Sequence, residues 1–308
     1  MKQAALNLDL KKTRMREFLE QVEQMVPWTA LVELIAPYYP EGRTGRPPFS
    51  LHTMLRVHFV QQWFTLSDPG MGEAFFDTPL YREFAQLDEF SRLPDDSTIL
   101  RFRHRLEKYK LAEQILDTVN EILTQRGLLL KTGIAVDATL IAAPTATKNK
   151  DKAREPGMHF SLKAHIGADA ESGLVHTMRT PSGNVHDVTE GNSLLQGEES
   201  LAFGDAGDQG ITKRPDVNAN VIWHVAMRPG KRRALNKDNE ADALLDQVKK
   251  LKSGVRAKVK HPFRVIQRQF GFVKVHYRGL KKNTAQLFTL FALSKLWLVR
   301  GKLMGAGV

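Results

Sequence analysis

No cysteine occurs among the 308 residues, which excludes disulfides and thiolate zinc sites and fits a reduced, intracellular setting. No apolar run is long enough for a bilayer: AQLFTLFALSKLWLV, 285–299, is broken by Thr289, Ser294 and Lys295 and falls short of the roughly 20 residues a span needs. It reads as a core helix. The opening MKQAALNLDLKKTRMREF lacks the apolar core of a signal peptide, so a cytoplasmic location and no membrane partner are expected. Acids are missing too, in one place. After Asp246, from Gln247 to Val308, neither Asp nor Glu appears.

What is present is positive charge. Against 34 Asp and Glu stand 45 Lys and Arg, a formal net charge of +11, with a pI near 9.7. That imbalance favours a polyanionic partner, nucleic acid first. The length allows one large domain or two ordinary ones.

Apolar residues at helical spacing, such as Phe18, Val22, Met25 and Val26, predict helix across 10–35, ending before YYPEGRTGRPPFS. That basic loop carries Arg43 and Arg46, within reach of phosphate or simply solvated. A helix begins near Ser50, with Leu51, Met54, Leu55 and His58 on one face. In PDDSTILRFRHRLEKYKL, Asp95, Asp96 and Ser97 supply cap oxygens. Ile99, Phe102 and Leu106 form one face, leaving Arg101, Arg103, His104, Arg105 and Lys108 largely on the others. A capped, basic helix preceded by another suits helix-turn-helix recognition of DNA, so 95–110 is the candidate recognition helix; an ordinary solvated helix is the alternative.

From about 130 the texture changes. GIAVDATLIAAP predicts a strand, the tract TATKNKDKAREPGMH a loop, and LKAHIGADAESGLVHTMRT a hairpin turning at AESG. NVHDVTEGNSLL predicts a helix capped by Asn184; SLAFGDAGDQG and NVIWHVAM are further strands. Helix returns after Lys237, runs on through VRAKVKHPFRVIQRQFGF, and closes the chain from about 282 to 299. This order divides the chain into an all-helical region, 1–125, and a mixed α/β domain, 126–308.

Asp137 and Asp205 stand at the ends of two predicted strands, amid small neighbours. Such carboxylates suit hard divalent ions, and two magnesium ions can clamp an in-line phosphoryl displacement. His159, His165, His176 and His186 are scattered and read as structural rather than metal-binding. Trp223 could stack on an extruded base, but a buried strand tryptophan is the simpler reading.

VDATLIAAPTATKNK, LKAHIGADAESGLVHT, NVHDVTE, GDAG…QG and KVKHPFRVIQRQFGFVKVHYRGLKKNTAQL, with GRPPFS and PDDSTILRFRHRLEK upstream, resemble transposases of the bacterial insertion sequence five family. The resemblance covers nearly the whole chain. It implies a ribonuclease H-like catalytic domain preceded by an all-helical DNA-binding region, and cutting and joining of DNA by an Asp-Asp-Glu triad with two magnesium ions. Its partners would be double-stranded DNA, namely the terminal inverted repeats and the target, and a second copy, because two ends must be paired. The chain would then be nucleoid-associated when bound to DNA. Asp137 matches the first acid and Asp205 the second, both as metal ligands, while Arg256, Arg264 and Arg268 face DNA or the site.

The third acid does not match. Where the family has Tyr, two residues, Arg, three residues, Glu, six residues, Lys, this chain has Ser253, Arg256, Lys260 and Gln267. A unit charge about 4 Å from another already interacts by about 4 kcal/mol at an effective dielectric near 20, so Lys260 should sharply lower divalent-ion occupancy. Asp246 cannot substitute, being about 21 Å away along a continuous helix. Asp208, where the family usually has Tyr, would approach from the wrong side. The segment between Met158 and Leu162 is also shorter than in related chains. Two functions follow: a transposase impaired by Lys260, or a non-catalytic DNA-binding relative that represses or competes with active copies.

Overall fold

A computed structural model describes residues 12–42, 45–143, 162–236 and 238–305. Helices come first. Thr13 caps α1 (Arg14–Met25) by accepting from the Arg16 N–H, and Pro27, lacking an N–H, separates it from α2 (Trp28–Ile35). Ser50 and Ser67 cap α3 (Leu51–Phe64) and α4 (Asp68–Asp77), and α5 (Pro79–Phe84) opens on a proline. Asp95 caps α6 (Asp96–Lys108), accepting from the Thr98 N–H at 2.7 Å, and α7 (Leu111–Gln125) completes the region. The caps expected at Ser50 and Asp95 are present.

Helix α3 departs from the one-faced amphipathic expectation: it is buried all round from Thr53 to Trp63. Two of its polar side chains are paired internally. Arg56 forks onto Glu23, and Gln61 donates to Asp68 at 3.0 Å.

Five strands form one mixed sheet in the order β3-β2-β1-β4-β5. The run GIAVDATLI is β1 (Gly133–Ile141), and the predicted hairpin is β2 (Leu162–Asp169) with β3 (Val175–Arg179). β1 pairs antiparallel with β2 and parallel with β4 (Leu201–Gly204), which pairs parallel with β5 (Ile222–Val225). The short α8 (Asp187–Glu190) follows His186 rather than Asn184. Asn184 instead accepts from the Ser182 hydroxyl at 2.6 Å, which ties it into the preceding loop.

After β5 come α9 (Pro229–Arg233), α10 (Glu240–Ala257), capped by Asn239, and α11 (Lys260–Arg264), which continues into a π-helical turn, Val265–Gln269. The basic run 255–272 is thus two helical pieces, not one. Pro262 explains the break: it offers no N–H to the Lys258 carbonyl, which accepts from His261 instead at 3.0 Å, and the proline sits in the first turn of the new helix. The redirected piece turns Val259, Phe263 and Ile266 into the core.

The last helix, α12 (Leu280–Gly305), is longer than expected and packs against α7 and α1, so one apolar core runs through helices from both ends of the chain and one face of the sheet. Ile134 and Val136 point from the opposite face into a smaller cluster with Leu194, Ala202 and Val221. No described helix is long and apolar enough to cross a membrane.

Candidate active site

The sheet places the two strand acids side by side. Ala135 of β1 is level with Phe203 of β4, so carrying that parallel register two residues further sets Asp137 level with Asp205. Neighbouring strands lie about 4.8 Å apart. By the two-residue alternation Asp137 shares the face of Ala135, toward the large core and the α10–α11 side.

Asp205 is held by its own loop. Its Oδ1 accepts from the Gly207 N–H at 2.5 Å, while its backbone N–H donates to Asp208 Oδ2 at 2.8 Å, a reciprocal cap of the turn Ala206–Asp208. Asp208 is only 4% exposed, and burial raises its carboxyl to about 7. It backs Asp205 from within.

A further carboxylate joins the group that sequence reasoning left out, Asp187 of α8. A methyl group at Gly207 would come within 2.9 Å of Asp205 Oδ1 and 3.2 Å of Asp187 Oδ2, so glycine keeps the approach between these acids open. Asp187 is paired with Lys163 at 2.7 Å and lies 3.7 Å from His165 Nδ1. Asp137, Asp187, Asp205, Asp208 and His165 line one cavity of about 310 Å3. The signal was in NVHDVTE, but only the folded loop shows where its acid goes.

Cations close the other side. An open cleft of about 1150 Å3 is lined by Asp137, Asp205, Lys260, Arg264, Gln267 and Arg268, so Lys260 shares the cleft with both acids. Arg256 Nη1 stands 3.8 Å from Asp205 Oδ2. Burial raises the Asp137 carboxyl above its ordinary value despite the opposing pull of Lys260 and then Arg256. Asp246 pairs with Arg232 at 2.6 Å, two turns and more back along α10.

The remaining expected DNA contacts fall into three groups. Arg46, Arg101 and Lys108 are exposed; Arg105 is half-buried, donating to the Tyr38 carbonyl at 2.7 Å. Arg103 is a correction. It is 7% exposed, bonded to Asp68 at 2.8 Å and Glu107 at 2.6 Å, with its guanidinium over the Tyr277 ring, so it is withdrawn from solvent and joins α4, α6 and the C-terminal part. Arg43, His159 and the short 158–162 segment's first residues lie outside the described residues. His176 is buried with neither ring nitrogen hydrogen-bonded, and burial lowers it to about 3. Trp223 packs against the smaller core cluster.

Two family models match this chain: the Transposase domain (DUF772) over residues 7–105 and the Transposase DDE domain over residues 129–296. Among solved structures, a cryo-EM structure of piggyBac transposase in a synaptic complex with hairpin DNA aligns over 93% of this chain and 73% of that one. The identity is 11% and the TM-score 0.45.

Proposed function

Because the chain belongs to the Transposase DDE domain family, whose match spans residues 129–296, we propose that it is a DNA transposase of the insertion sequence five type whose metal-dependent cleavage is disabled by Lys260. The mixed sheet with helices fits a ribonuclease H-like DDE domain. Such a family implies a divalent ion, usually magnesium. The residues present do not fit it.

One observation carries this reading: the cleft that holds Asp137 and Asp205 has Lys260 on its wall, with Arg264 and Arg268 beside it. Hard ions need converging oxygens; here Asp187 is already paired with Lys163 and Asp208 is turned onto the Asp205 N–H, so Asp137 and Asp205 are left facing Lys260, Arg264 and Arg268. Among the described residues no three His, Asp or Glu side chains are grouped to hold an ion. The same charges suit a phosphodiester, which Arg256, Lys260 and Arg264 can hold by charge-assisted hydrogen bonds. The chain then occupies DNA without cutting it, as a repressor or competitor of intact copies. Arg46, Arg101 and Lys108 would add phosphate contacts on the inverted repeats, and two copies would pair two ends.

The test is strand cleavage of a duplex carrying the element's own ends, in magnesium, by the parent chain and by Lys260→Glu. Cleavage gained with the glutamate and absent without it is the expected result. Cleavage by the parent at the rate of the glutamate variant rejects the reading.

A further inference from the structure

Beside the acid pair, on the outer side of β4, runs a second groove of about 960 Å3 between β5, α9 and α10. It meets the assigned site only at Asp205 and Arg256; the rest of its lining has no role in that assignment. We propose that this groove binds single-stranded DNA, the strand leading away from the phosphate at Asp205; the proposal rests on the transposase reading and extends its substrate to an unpaired strand.

The wall formed by α10 carries Lys249, Lys252 and Arg256, spaced three and four residues apart and therefore on one helical face. Seven residues of helix rise about 10 Å. Arg232 of α9 also lines the groove, paired with Asp246 of α10 at 2.6 Å. Asp205 is the sole carboxylate in the lining among the described residues, and it lines the Lys260 cleft as well, so one backbone can pass from that cleft into the groove without crossing other acids.

The lining also favours an unpaired strand over a duplex. Phe203 and His224 lie with ring centroids 5.2 Å apart, and Lys252 Nζ reaches within 3.1 Å of His224 Nδ1. Phe203 is buried and backs His224, whose half-buried ring beside a row of cations can take a base whose face is free, and a base inside a duplex has no free face.

The experiment measures the affinity of the full chain and of Lys249→Ala/Lys252→Ala for oligothymidylate of about 15 nucleotides and for a blunt duplex of equal length, across a salt series. The double variant is expected to lose about tenfold or more in single-strand affinity, with the slope of log K against log salt shallower by about 1.4, as two lost contacts require. Duplex affinity should hold within about twofold. Lys252→Arg, which keeps the charge, should retain single-strand binding and shows that the loss is not misfolding. Unchanged single-strand affinity, or an equal fall for both probes, overturns the groove while leaving the transposase reading in place. Absence of binding to either probe by the parent chain overturns both.

Discussion

Two aspartates three residues apart behave differently because one faces the cleft and the other faces inward. Asp208 accepts the Asp205 N–H from a buried position, and its folded carboxyl titrates at about 7, above the ordinary value of 3.8. The folded state therefore holds its proton more tightly than the unfolded chain between pH 4 and 7. Stability falls as pH rises through that window and stays low above it, by an order of a few kcal/mol at most. Asp208→Asn keeps an oxygen for the Asp205 N–H and never ionises. Urea denaturation at two pH values checks this: the variant should be the more stable at pH 8, with the difference shrinking or reversing at pH 4. An Asn variant equally destabilised at both would mean that Asp208 acts only through its hydrogen bond.

Among elements, α6 shows what periodicity reveals and what it hides. The cap at Asp95 and the face of Ile99, Phe102 and Leu106 were legible, because caps and apolar spacing are local properties. Arg103 was not, although it lies four residues after Ile99 and three before Leu106, inside the core stripe. Its partners Asp68 and Tyr277 come from α4 and from just before α12, distances in sequence that no local pattern spans. Arg103→Ala leaves Glu107 without its ion pair and Asp68 with only Gln61, both largely buried, a loss of about 2–3 kcal/mol, whereas the exposed Arg101→Ala should shift stability by less than about 0.5 kcal/mol and weaken DNA binding. Thermal denaturation alongside a DNA-binding isotherm separates the two; equal stability for both variants would show that the Arg103 pairs contribute nothing. The same logic covers the acids. Asp205 stands just past its strand as expected, but Asp137, expected at a strand end, lies in the middle of β1, because the strand runs on to Ile141 along β2; Asp187 is brought in by a loop, and the continuous helix expected over 255–272 overlooked what Pro262 does to the Lys258 carbonyl.

At the scale of the whole molecule, the chain's two halves share a core. Lys295 of α12 is fully buried and donates to Asn120 of α7, whose side-chain amide donates to the His176 carbonyl of β3 at 3.0 Å, so helix, helix and sheet meet at one polar contact. Burial pushes the Lys295 ammonium well down from its ordinary value. The sheet that this core supports presents the acid pair, and α10 and α11, directed by Pro262, bring Arg256 and Lys260 up to it. The C-terminal stretch without acids brings three cations and no carboxylate to that cleft. The central claim is therefore about ion binding, and manganese titration followed by electron paramagnetic resonance addresses it directly. The parent chain should show no saturable manganese site and Lys260→Glu should acquire one; equal saturable binding by both would contradict the account.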